Sequence, residues 1–398
     1  MNFNHLNDNL KQFLFIGNSV KILQIIPSLQ SGGAERGCIE VANGLSDIGY
    51  PNHIITQETG PNTVLPSLTQ LHFAPVASKN PIQILRNAAL IHRIVVDHNI
   101  DLIHIRSRAP AWSIQLIKQK LHIPILSTCH GCYRVPNRLK HIYNRSITDY
   151  PDHIIAPSAY VLDYLQQHYP NSVTKTTVIN RGVDLNVFQT KATDKKQQAL
   201  LIKTLGLNSH QPILFVPARF TKFKGQSTVI SAISRMKDLP VQVVFCGKIQ
   251  DKSYFNQLKK QAYHEGVAHQ VQLLPPIEDL PTAYSIADIT ICPSMTQESF
   301  GRIPIEAAAM GSIALASNHS GFKHTVLPNK TGFLFDANSP DDLSRKIRHI
   351  LTLSTNDKRS IIDQATRRVH QEFTKDTMVK KTLNVYRNLL AQAKEPLA

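Results

Sequence analysis

The stretch ITICPSMTQESFGRIPIEAAAMGSIALA, residues 289–316, decides how the second half of the chain folds. It opens with a short apolar run at 289–292 and closes with another at 313–316, and runs of this length are typical of buried strands. A loop that contains Gly301 follows the first run. A segment of helix-forming residues then begins near Pro304, because proline is tolerated in the first turn of a helix. Strand, helix and strand in this order build a parallel sheet, so we predict a β-α-β unit here.

The same alternation extends along the rest of the chain and falls into two series. The predicted strands of the first series cover residues 22–27, 54–56, 102–105, 125–128, 154–157 and 177–179, and those of the second cover 213–218, 241–246, 271–274, 289–292 and 313–316. A polar stretch at 190–196 separates the two series. A chain of 398 residues is long enough for two or three domains, each with its own core. We therefore predict an α/β protein of two similar halves, with ligands bound beyond the carboxyl ends of the strands.

Composition excludes several classes of protein. Hydrophobic residues make up 42% and charged residues 18% of the chain, which is the ordinary globular range and excludes a disordered chain. The 17 glycines and 23 prolines show no short repeat, which excludes a collagenous or low-complexity chain.

Five cysteines do not make a disulfide framework, and Cys129 and Cys132 lack the second pair that a zinc site needs, so we expect free thiols in a reducing cytosol. No apolar run reaches the roughly 18 residues that a membrane-spanning helix needs, and the first twenty residues lack the apolar core of an export signal. The expected location is cytoplasmic.

The charge of the chain points to a polyanionic partner. Its 44 lysines and arginines outnumber 28 acidic residues, for a net charge of +16. Residues 79–145 hold eleven basic residues against Asp97 and Asp101, so more than half of the excess lies in this part of the first half. Nucleic acid, anionic lipid and phosphorylated substrates all attract such a surface. Nucleic acid is the least favoured of the three, because no known binding motif or aromatic platform accompanies the charge.

Two loops that follow predicted strands contain candidate phosphate-binding residues. Gly32 and Gly33 form a strand-to-helix turn where backbone N–H groups could meet a phosphate, and a tight turn without a ligand is an equal alternative. The glycine spacing does not match the dinucleotide pattern GxGxxG, which removes the main support for an oxidoreductase. Arg219 and Lys224 lie in the second loop and suit a diphosphate, the alternative being a solvated basic loop.

A third loop belongs to the stretch quoted first. Glu298 lies in the loop and Glu306 in the predicted helix, with seven residues between them. Backbone N–H groups of Phe300, Gly301 and Arg302 near the helix start suit an anion, while the two carboxylates suit sugar hydroxyls. The alternative is a helix capped by acidic residues. Against it, Glu306 lies in an apolar stretch and would be costly to bury without a partner.

Taken together and in this order, the diglycine turn, the basic loop and the two glutamates resemble the retaining glycosyltransferases of family 4, over residues 21 to about 390. The resemblance implies the GT-B fold, an α/β architecture of two Rossmann-like domains whose parallel sheets face a cleft. It implies an acceptor-binding domain at 1–190 and a nucleotide-sugar-binding domain at 191–375. It also implies a C-terminal helix at 376–398 that returns to the first domain.

The resemblance also implies roles for single residues. In that family two basic residues hold the donor diphosphate, the first glutamate contacts the donor sugar, and the second glutamate holds the nucleotide ribose. Arg219 and Lys224 match the basic residues, and Glu298 and Glu306 match the two glutamates. The resemblance therefore implies that Arg219, Lys224 and a helix dipole assist the departure of the nucleoside diphosphate.

In the first half, the resemblance assigns phosphate contacts to the amides of Gly32 and Gly33. His130, which follows a predicted strand, matches a catalytic histidine beside the sugar, and a plain loop histidine is the alternative. The family needs neither a metal nor a cofactor. No Asp-x-Asp motif, which would hold a divalent cation against the diphosphate, occurs in the chain.

A further string, IRSRAPAWS at residues 105–113, together with the later His130-Gly131 and Tyr143-Asn144, resembles a bacterial branch that adds inner-core sugars, often mannose, to lipopolysaccharide. This branch implies GDP-mannose as the donor and a glycolipid or saccharide as the acceptor. It implies a peripheral location at the anionic inner face of the cytoplasmic membrane, with no nucleic acid as a partner. The basic residues expected to face the acceptor or the membrane are Arg106, Arg108, Arg134, Arg138 and Lys140.

Two other functions stay open from the sequence. One is a nucleotide-sugar epimerase or phosphorylase of the same fold, which would consume its donor without an added acceptor. The other is a basic protein that binds lipid or nucleic acid. Such a protein would bind polyanions with a steep salt dependence and would release no nucleoside diphosphate.

Overall fold

The computed structural model describes residues 20–30, 32–61, 63–133, 135–189 and 194–394. These residues form two compact units, which we call the first and the second unit. The first unit holds the described residues up to Arg181 and those from Lys375, and the second unit spans Gly182 to Thr374. The described segment 182–189, which the sequence placed in the first domain, therefore belongs to the second unit. It does so because Val183 pairs with Thr374 at the other end of that unit.

Strands and helices alternate through both units. The strands are β1 (Ile22–Ile25), β2 (Ser28–Leu29), β3 (Asn52–Thr56), β4 (Glu58–Thr59), β5 (Thr69–Phe73), β6 (Leu102–Ile105), β7 (Ile125–Thr128), β8 (His153–Ala156), β9 (Thr176–Val178), β10 (Ile213–Pro217), β11 (Gln242–Cys246), β12 (Val271–Leu274), β13 (Ile289–Cys292), β14 (Ile313–Ser317) and β15 (Phe333–Phe335). The α-helices are α1 (Gly33–Asp47), α2 (Pro81–His98), α3 (Arg108–Leu121), α4 (Arg138–Thr148), α5 (Ala159–His168), α6 (Lys195–Thr204), α7 (Gln226–Ile233), α8 (Lys252–His264), α9 (Leu280–Ser285), α10 (Ile303–Ala309), α11 (Phe322–Thr325), α12 (Pro340–Thr352), α13 (Thr355–Glu372) and α14 (Lys375–Lys394). Short 3-10 helices lie at Pro170–Lys175, Lys222–Lys224, Ser234–Met236 and Ala268–Gln270.

The first unit is built on a parallel sheet in the order β5-β3-β1-β6-β7-β8-β9, and β2 and β4 form a separate small ribbon. Strand β1 lies between β3 and β6 and is parallel to both. The strand order reverses at β1, and ligands of open α/β sheets bind beyond the strand ends at such a point. The sequence did not predict β5. Its sequence TQLHF is only partly buried, as an edge strand can be, so it lacks the continuous apolar run of the central strands.

The second unit is built on a parallel sheet in the order β12-β11-β10-β13-β14-β15. Strand β10 lies between β11 and β13, which gives this unit its own reversal point. Leu214 and Val216 pack into one hydrophobic cluster and Phe215 packs into another, because helices cover both faces of the sheet. The predicted α/β class with two Rossmann-like halves is confirmed, and the β-α-β unit predicted at 289–316 consists of β13, α10 and β14.

Helix α14 packs on the first unit. Its residues Leu383 and Tyr386 are buried in one cluster with Ile22 of β1. The hydroxyl of Tyr386 lies 2.7 Å from Nδ1 of His104, a buried residue of β6. The last helix of the chain is therefore part of the first unit's core.

Two further expectations concern the chain as a whole. All five cysteines are free thiols, and burial raises the pKa of Cys129 to about 12. Within the described residues, no helix combines the length and the apolar character that crossing a bilayer requires. Residues 1–19, where the expectation about an export signal falls, lie outside the described residues.

Candidate active site

The loop after β10 holds both predicted basic residues. Arg219 is exposed, and Lys224 is partly buried at the end of the 3-10 helix Lys222–Lys224. Gly225 follows with a φ of +70°, in the left-handed region that favours glycine. A Cβ at Gly225 would collide with the carbonyl oxygen of Pro293. The absence of a side chain therefore lets this loop pack directly against the loop that follows β13.

Lys224 and Glu298, which the sequence placed on two separate loops, form an ion pair. The hydroxyl of Ser294 donates a hydrogen bond to the same carboxylate oxygen, Oε1 of Glu298, over 2.7 Å. The two charged side chains keep 20% and 25% of their surface exposed, so a ligand can reach them. Charge-assisted hydrogen bonds of this kind are short and hold both partners in position. The sequence singled out neither this pairing nor Ser294.

A turn after β14 supports the loop that carries Glu298. Ser320 Oγ accepts a hydrogen bond from the backbone N–H of Glu298 over 2.9 Å, and the N–H of Gly321 donates to the Glu298 carbonyl over 2.8 Å. His319 Nε2 donates to the carbonyl of Ser294 over 2.7 Å, which leaves Nδ1 to accept from the Ser320 hydroxyl over 2.6 Å. The sequence missed His319 and Ser320, although the rule that ligand sites lie at strand ends applies to β14 as well.

Phe300, Gly301 and Arg302 connect this loop to α10. The ring of Phe300 is 5% exposed and lies edge-on against Phe373, with 5.7 Å between the ring centroids. Its side chain therefore belongs to the core, and only its backbone can face a ligand. Gly301 has a φ of +84°, and a Cβ there would lie 2.5 Å from the ring of Phe322. Arg302 is partly buried and immediately precedes the helix.

Glu306 has the buried partner that its apolar surroundings require. Its side chain lies in the first turn of α10, and the residue is only 6% exposed. The hydroxyl of Tyr284, a fully buried residue of α9, donates to Oε2 of Glu306 over 2.8 Å. A hydrogen bond from a buried hydroxyl offsets part of the cost of burying the carboxylate. The sequence missed Tyr284, which lies 22 positions earlier in the chain.

In the first unit, the diglycine turn begins helix α1. Gly32 and Gly33 are both exposed, and a Cβ at Gly33 would have no atom within 4 Å. A Cβ at Gly37, one turn further on, would lie 2.6 Å from Nη1 of Arg181. The guanidinium of Arg181 therefore lies against the first turns of α1. The sequence missed Arg181, which follows β9 at the same edge of the sheet.

His130 lies next to this arginine. Nη2 of Arg181 donates to Nδ1 of His130 over 2.5 Å, so a proton on the neutral ring belongs to Nε2. Burial first, and then the positive charges of Arg181 and Arg106, hold the pKa of His130 well below its usual range. His130 is therefore neutral at pH 7. The structure brings it together with a cation that no sequence motif indicated.

The basic residues expected at the acceptor or the membrane occupy different environments. Arg106 is only 3% exposed, and its Nε and Nη2 both donate to Oε1 of Gln24, over 2.8 and 2.5 Å. Arg106 is therefore not part of a membrane-facing surface, which corrects the membrane part of that prediction, and its contact with the acceptor stays a prediction. Arg108 donates to Oδ1 of Asn144 over 2.7 Å, and its guanidinium lies 3.7 Å from the ring centroid of Tyr133.

Helix α4 carries the exposed part of this basic set. Arg138 is exposed and Lys140 is partly buried, with its Nζ 5.7 Å from the ring centroid of Tyr143. Leu139 and Ile142 on the same helix are 77% and 38% exposed, although both are apolar. The fifth predicted residue, Arg134, lies outside the described residues.

Each unit is built on a parallel sheet with charged side chains beyond its strand ends, which is consistent with the GT-B fold. The family model described as "Glycosyltransferase Family 4" matches residues 31–187, and the one described as "Glycosyl transferases group 1" matches residues 197–369. The chain therefore belongs to the glycosyltransferases, with domains of the family 4 type.

Individual proteins support this assignment. The chain is 32% identical to a glycosyltransferase of Rickettsia africae whose crystal structure is known. The two structures superpose with a TM-score of 0.86, and the superposition covers 94% of this chain and 99% of that one. It is 25% identical to the D-inositol 3-phosphate glycosyltransferase of Salinispora arenicola over 91% of this chain and 88% of that protein. The HepE protein of Anabaena, solved with UDP and glucose, shares the fold at 20% identity, with a TM-score of 0.80 over 93% of this chain and all of that one.

Proposed function

We propose that this protein transfers a sugar from a nucleotide-sugar donor to a glycolipid or saccharide acceptor, with retention at the anomeric carbon. The observation that carries the proposal is the ion pair between Lys224 and Glu298, reinforced by Ser294 at the end of β13. It joins a cation suited to a phosphate with a carboxylate suited to sugar hydroxyls. The nucleotide-bound structure of HepE supports a donor of this class.

In this proposal the residues of the second unit act on the donor. Arg219 and Lys224 neutralise the charge that builds on the departing diphosphate, since fixed cations stabilise a transition state whose charge they face. Glu298 accepts hydrogen bonds from the donor sugar. Glu306, held by Tyr284, accepts hydrogen bonds from the ribose. Backbone groups of residues 300–302 complete the donor site.

In the first unit, the amides of Gly32 and Gly33 bind phosphate oxygens and His130 contacts the reacting sugar. Because Nδ1 of His130 accepts from Arg181, the neutral ring can donate one hydrogen bond from Nε2 to a sugar hydroxyl without adding charge. The proposal needs neither a metal nor a cofactor. Turnover is therefore expected to persist in EDTA, and a loss that only magnesium or manganese restores would contradict this part of it.

The acceptor is proposed to be anionic and seated at a membrane, with the lipopolysaccharide core as the specific candidate and GDP-mannose as the donor. The basic excess of residues 79–145 favours an anionic partner. The exposed apolar residues of α4 next to Arg138 suit contact with lipid at the inner face of the cytoplasmic membrane.

The experiment that tests the proposal supplies a panel of nucleotide sugars with and without lipid-linked saccharide acceptors and measures the release of nucleoside diphosphate. The expected result is release that depends on the acceptor, with one donor preferred and the configuration of the product retained by NMR. Donor consumption that is the same without acceptor would instead identify an epimerase or a phosphorylase. Tight, salt-sensitive binding to lipid or nucleic acid without any release would identify a binding protein.

A further inference from the structure

Three histidines of the first unit form a cluster that plays no part in the proposed sugar transfer. His53 lies on β3, His72 on the edge strand β5, and His98 in the last turn of α2. In the parallel pairing of β3 and β5, His53 is opposite Gln70. His72 lies two residues beyond Gln70, so its side chain leaves the sheet on the same face. Strand pairing and the end of the helix thus bring the three rings to one place.

The spacing of the three rings approaches that of a metal site. One ring nitrogen from each histidine lies within 4.8 Å of the other two. Nδ1 of His53 and Nε2 of His72 are 3.1 Å apart. Three histidine nitrogens bound to zinc at about 2.0 to 2.1 Å are held about 3.3 Å from one another in tetrahedral geometry. The first pair therefore already has the required separation, and rotation of the His98 side chain would complete the set.

The surroundings of the cluster contain one favourable and one unfavourable charge for a cation. The carbonyl end of α2 is favourable, because a helix C-terminus carries partial negative charge and His98 lies in its last turn. Lys21 is unfavourable, and its Nζ donates to the carbonyl of His98 over 3.0 Å.

We propose that His53, His72 and His98 bind one divalent transition-metal ion of the zinc class, with water in the remaining position. Imidazole ligands select zinc, copper or nickel over magnesium or calcium, which prefer oxygen. The ion would join the edge strand β5 to β3 and to α2, and it would stabilise that edge of the sheet. Its binding is independent of the proposed sugar transfer.

The test is a titration of the full-length chain, prepared without a histidine tag, with Co²⁺ followed by its visible absorption. We expect one Co²⁺ per chain, displaced by one equivalent of zinc, and a zinc-dependent rise in Tm by mass action. His72→Asn and His98→Asn should each weaken Co²⁺ binding at least tenfold and abolish the rise. The matched control is His92→Asn, because His92 is a partly buried histidine on the same helix as His98. It should bind as the wild type does.

Stoichiometric binding that survives in both His72→Asn and His98→Asn would overturn the proposal, as would the absence of stoichiometric Co²⁺ binding by the wild type. His72 and His98 are each only partly buried, so we expect both variants to fold. The Tm of each variant without metal checks this. If one variant fails to fold, the other alone decides the outcome.

Discussion

Lys224 is the residue on which the proposed chemistry depends most. Its side chain forms an ion pair with Glu298. Its loop packs closely against Pro293, which is possible only because residue 225 is a glycine. Lys224→Ala or Arg219→Ala should lower kcat by about 100-fold or more, because each removes a cation worth about 3 kcal/mol to a transition state with developing negative charge. Initial rates with saturating donor measure the change.

The matched control for this prediction is Lys260→Ala, because Lys260 is an exposed lysine on α8 in the same unit. It should keep the wild-type kcat, and all three variants should keep the wild-type Tm. A parallel loss of activity and stability in Lys224→Ala would mean that the lysine supports the fold instead of the reaction.

Glu306 and Glu298 should respond differently to the same neutral replacement. Glu306→Gln should raise KM for the donor with little change in kcat, because the ribose contact is made equally in the ground state and the transition state. Tyr284→Phe should raise the same KM by a smaller factor, since it loosens Glu306 without removing it. Glu298→Gln should instead lower kcat. Equal effects of the two glutamate variants on kcat would contradict the separate roles.

These residues also show what could be predicted from the sequence. Arg219, Lys224, Glu298 and Glu306 belong to short motifs that follow predicted strands, so the sequence could single them out as candidates. The side chains that hold them, such as Tyr284, come from elements elsewhere in the chain and have no motif of their own. Only the folded sheet brings such partners together.

Helix α4 is the element through which membrane contact is proposed. Leu139 is 77% exposed beside Arg138 and Lys140, and an exposed leucine flanked by basic residues can insert among anionic head groups. The triple change Arg138→Gln, Leu139→Ser and Lys140→Gln should reduce binding to anionic vesicles several-fold and leave donor affinity unchanged. Sedimentation with vesicles measures the binding, which should also weaken as salt rises.

Helix α6 of the second unit provides a matched control. It offers Lys195, Lys196 and an apolar Leu200 that is 64% exposed, so Lys195→Gln, Lys196→Gln and Leu200→Ser remove the same charge and a similar apolar surface. This variant should bind vesicles as the wild type does. Equal losses in the two triple variants, or equal binding of the wild type to neutral and anionic vesicles, would contradict the proposal. The basic residues of α4 would then contribute only to the general charge of the surface.

Elements differed in how well the sequence predicted them. The central strands β10 and β13 are almost entirely apolar, because helices cover both faces, and such runs are easy to find. Strand β5 is an edge strand with polar residues, and β15 is only three residues long. Both exist because a neighbouring strand offers its backbone for pairing, and that partner is not visible in the local sequence.

Across the whole molecule, the histidines with a lowered pKa among the described residues all belong to the first unit. Burial is the largest cause for each of them, and His104 between Tyr386 and Thr128 is completely enclosed. A buried histidine of this kind stays neutral in the folded protein but is protonated in the unfolded chain below its ordinary pKa of 6.5. The free energy of unfolding is therefore highest above that pH and declines as the pH falls below it, because the unfolded chain then binds more protons. The first unit should therefore lose stability first on mild acidification.

Hydrogen exchange at pH 7 and pH 5.5 measures this difference within one sample. After correction for the intrinsic exchange rate, the free energy of opening measured at amides of β1 and β6 should fall as the pH is lowered. The fall should be up to about 1.4 kcal/mol per pH unit for each fully buried histidine. Amides of β10 and β13 in the second unit serve as the internal control and should change less. Equal losses in both sheets would show that buried histidines do not set the acid stability.

The division of the chain into two units was predictable in outline from the repeated strand-and-helix pattern. The boundary was not, because residues 182–189 follow the last strand of the first sheet in sequence but pair with the far end of the second unit through Val183. A contact between residues nearly two hundred positions apart leaves no local signal. For the same reason the sequence predicted a helix at the C-terminus but could assign it to the first unit only through the family resemblance.

The central claim is that the second unit binds the nucleoside diphosphate part of a sugar donor through Lys224 and its neighbours. Isothermal titration of the wild type, Lys224→Ala and Lys260→Ala with UDP, GDP and ADP tests this most directly. We expect the wild type and Lys260→Ala to bind one of the three with equal affinity at one site per chain, and Lys224→Ala to bind it at least tenfold more weakly. Equal affinity in all three proteins, or no saturable binding of any nucleoside diphosphate by the wild type, would contradict the account.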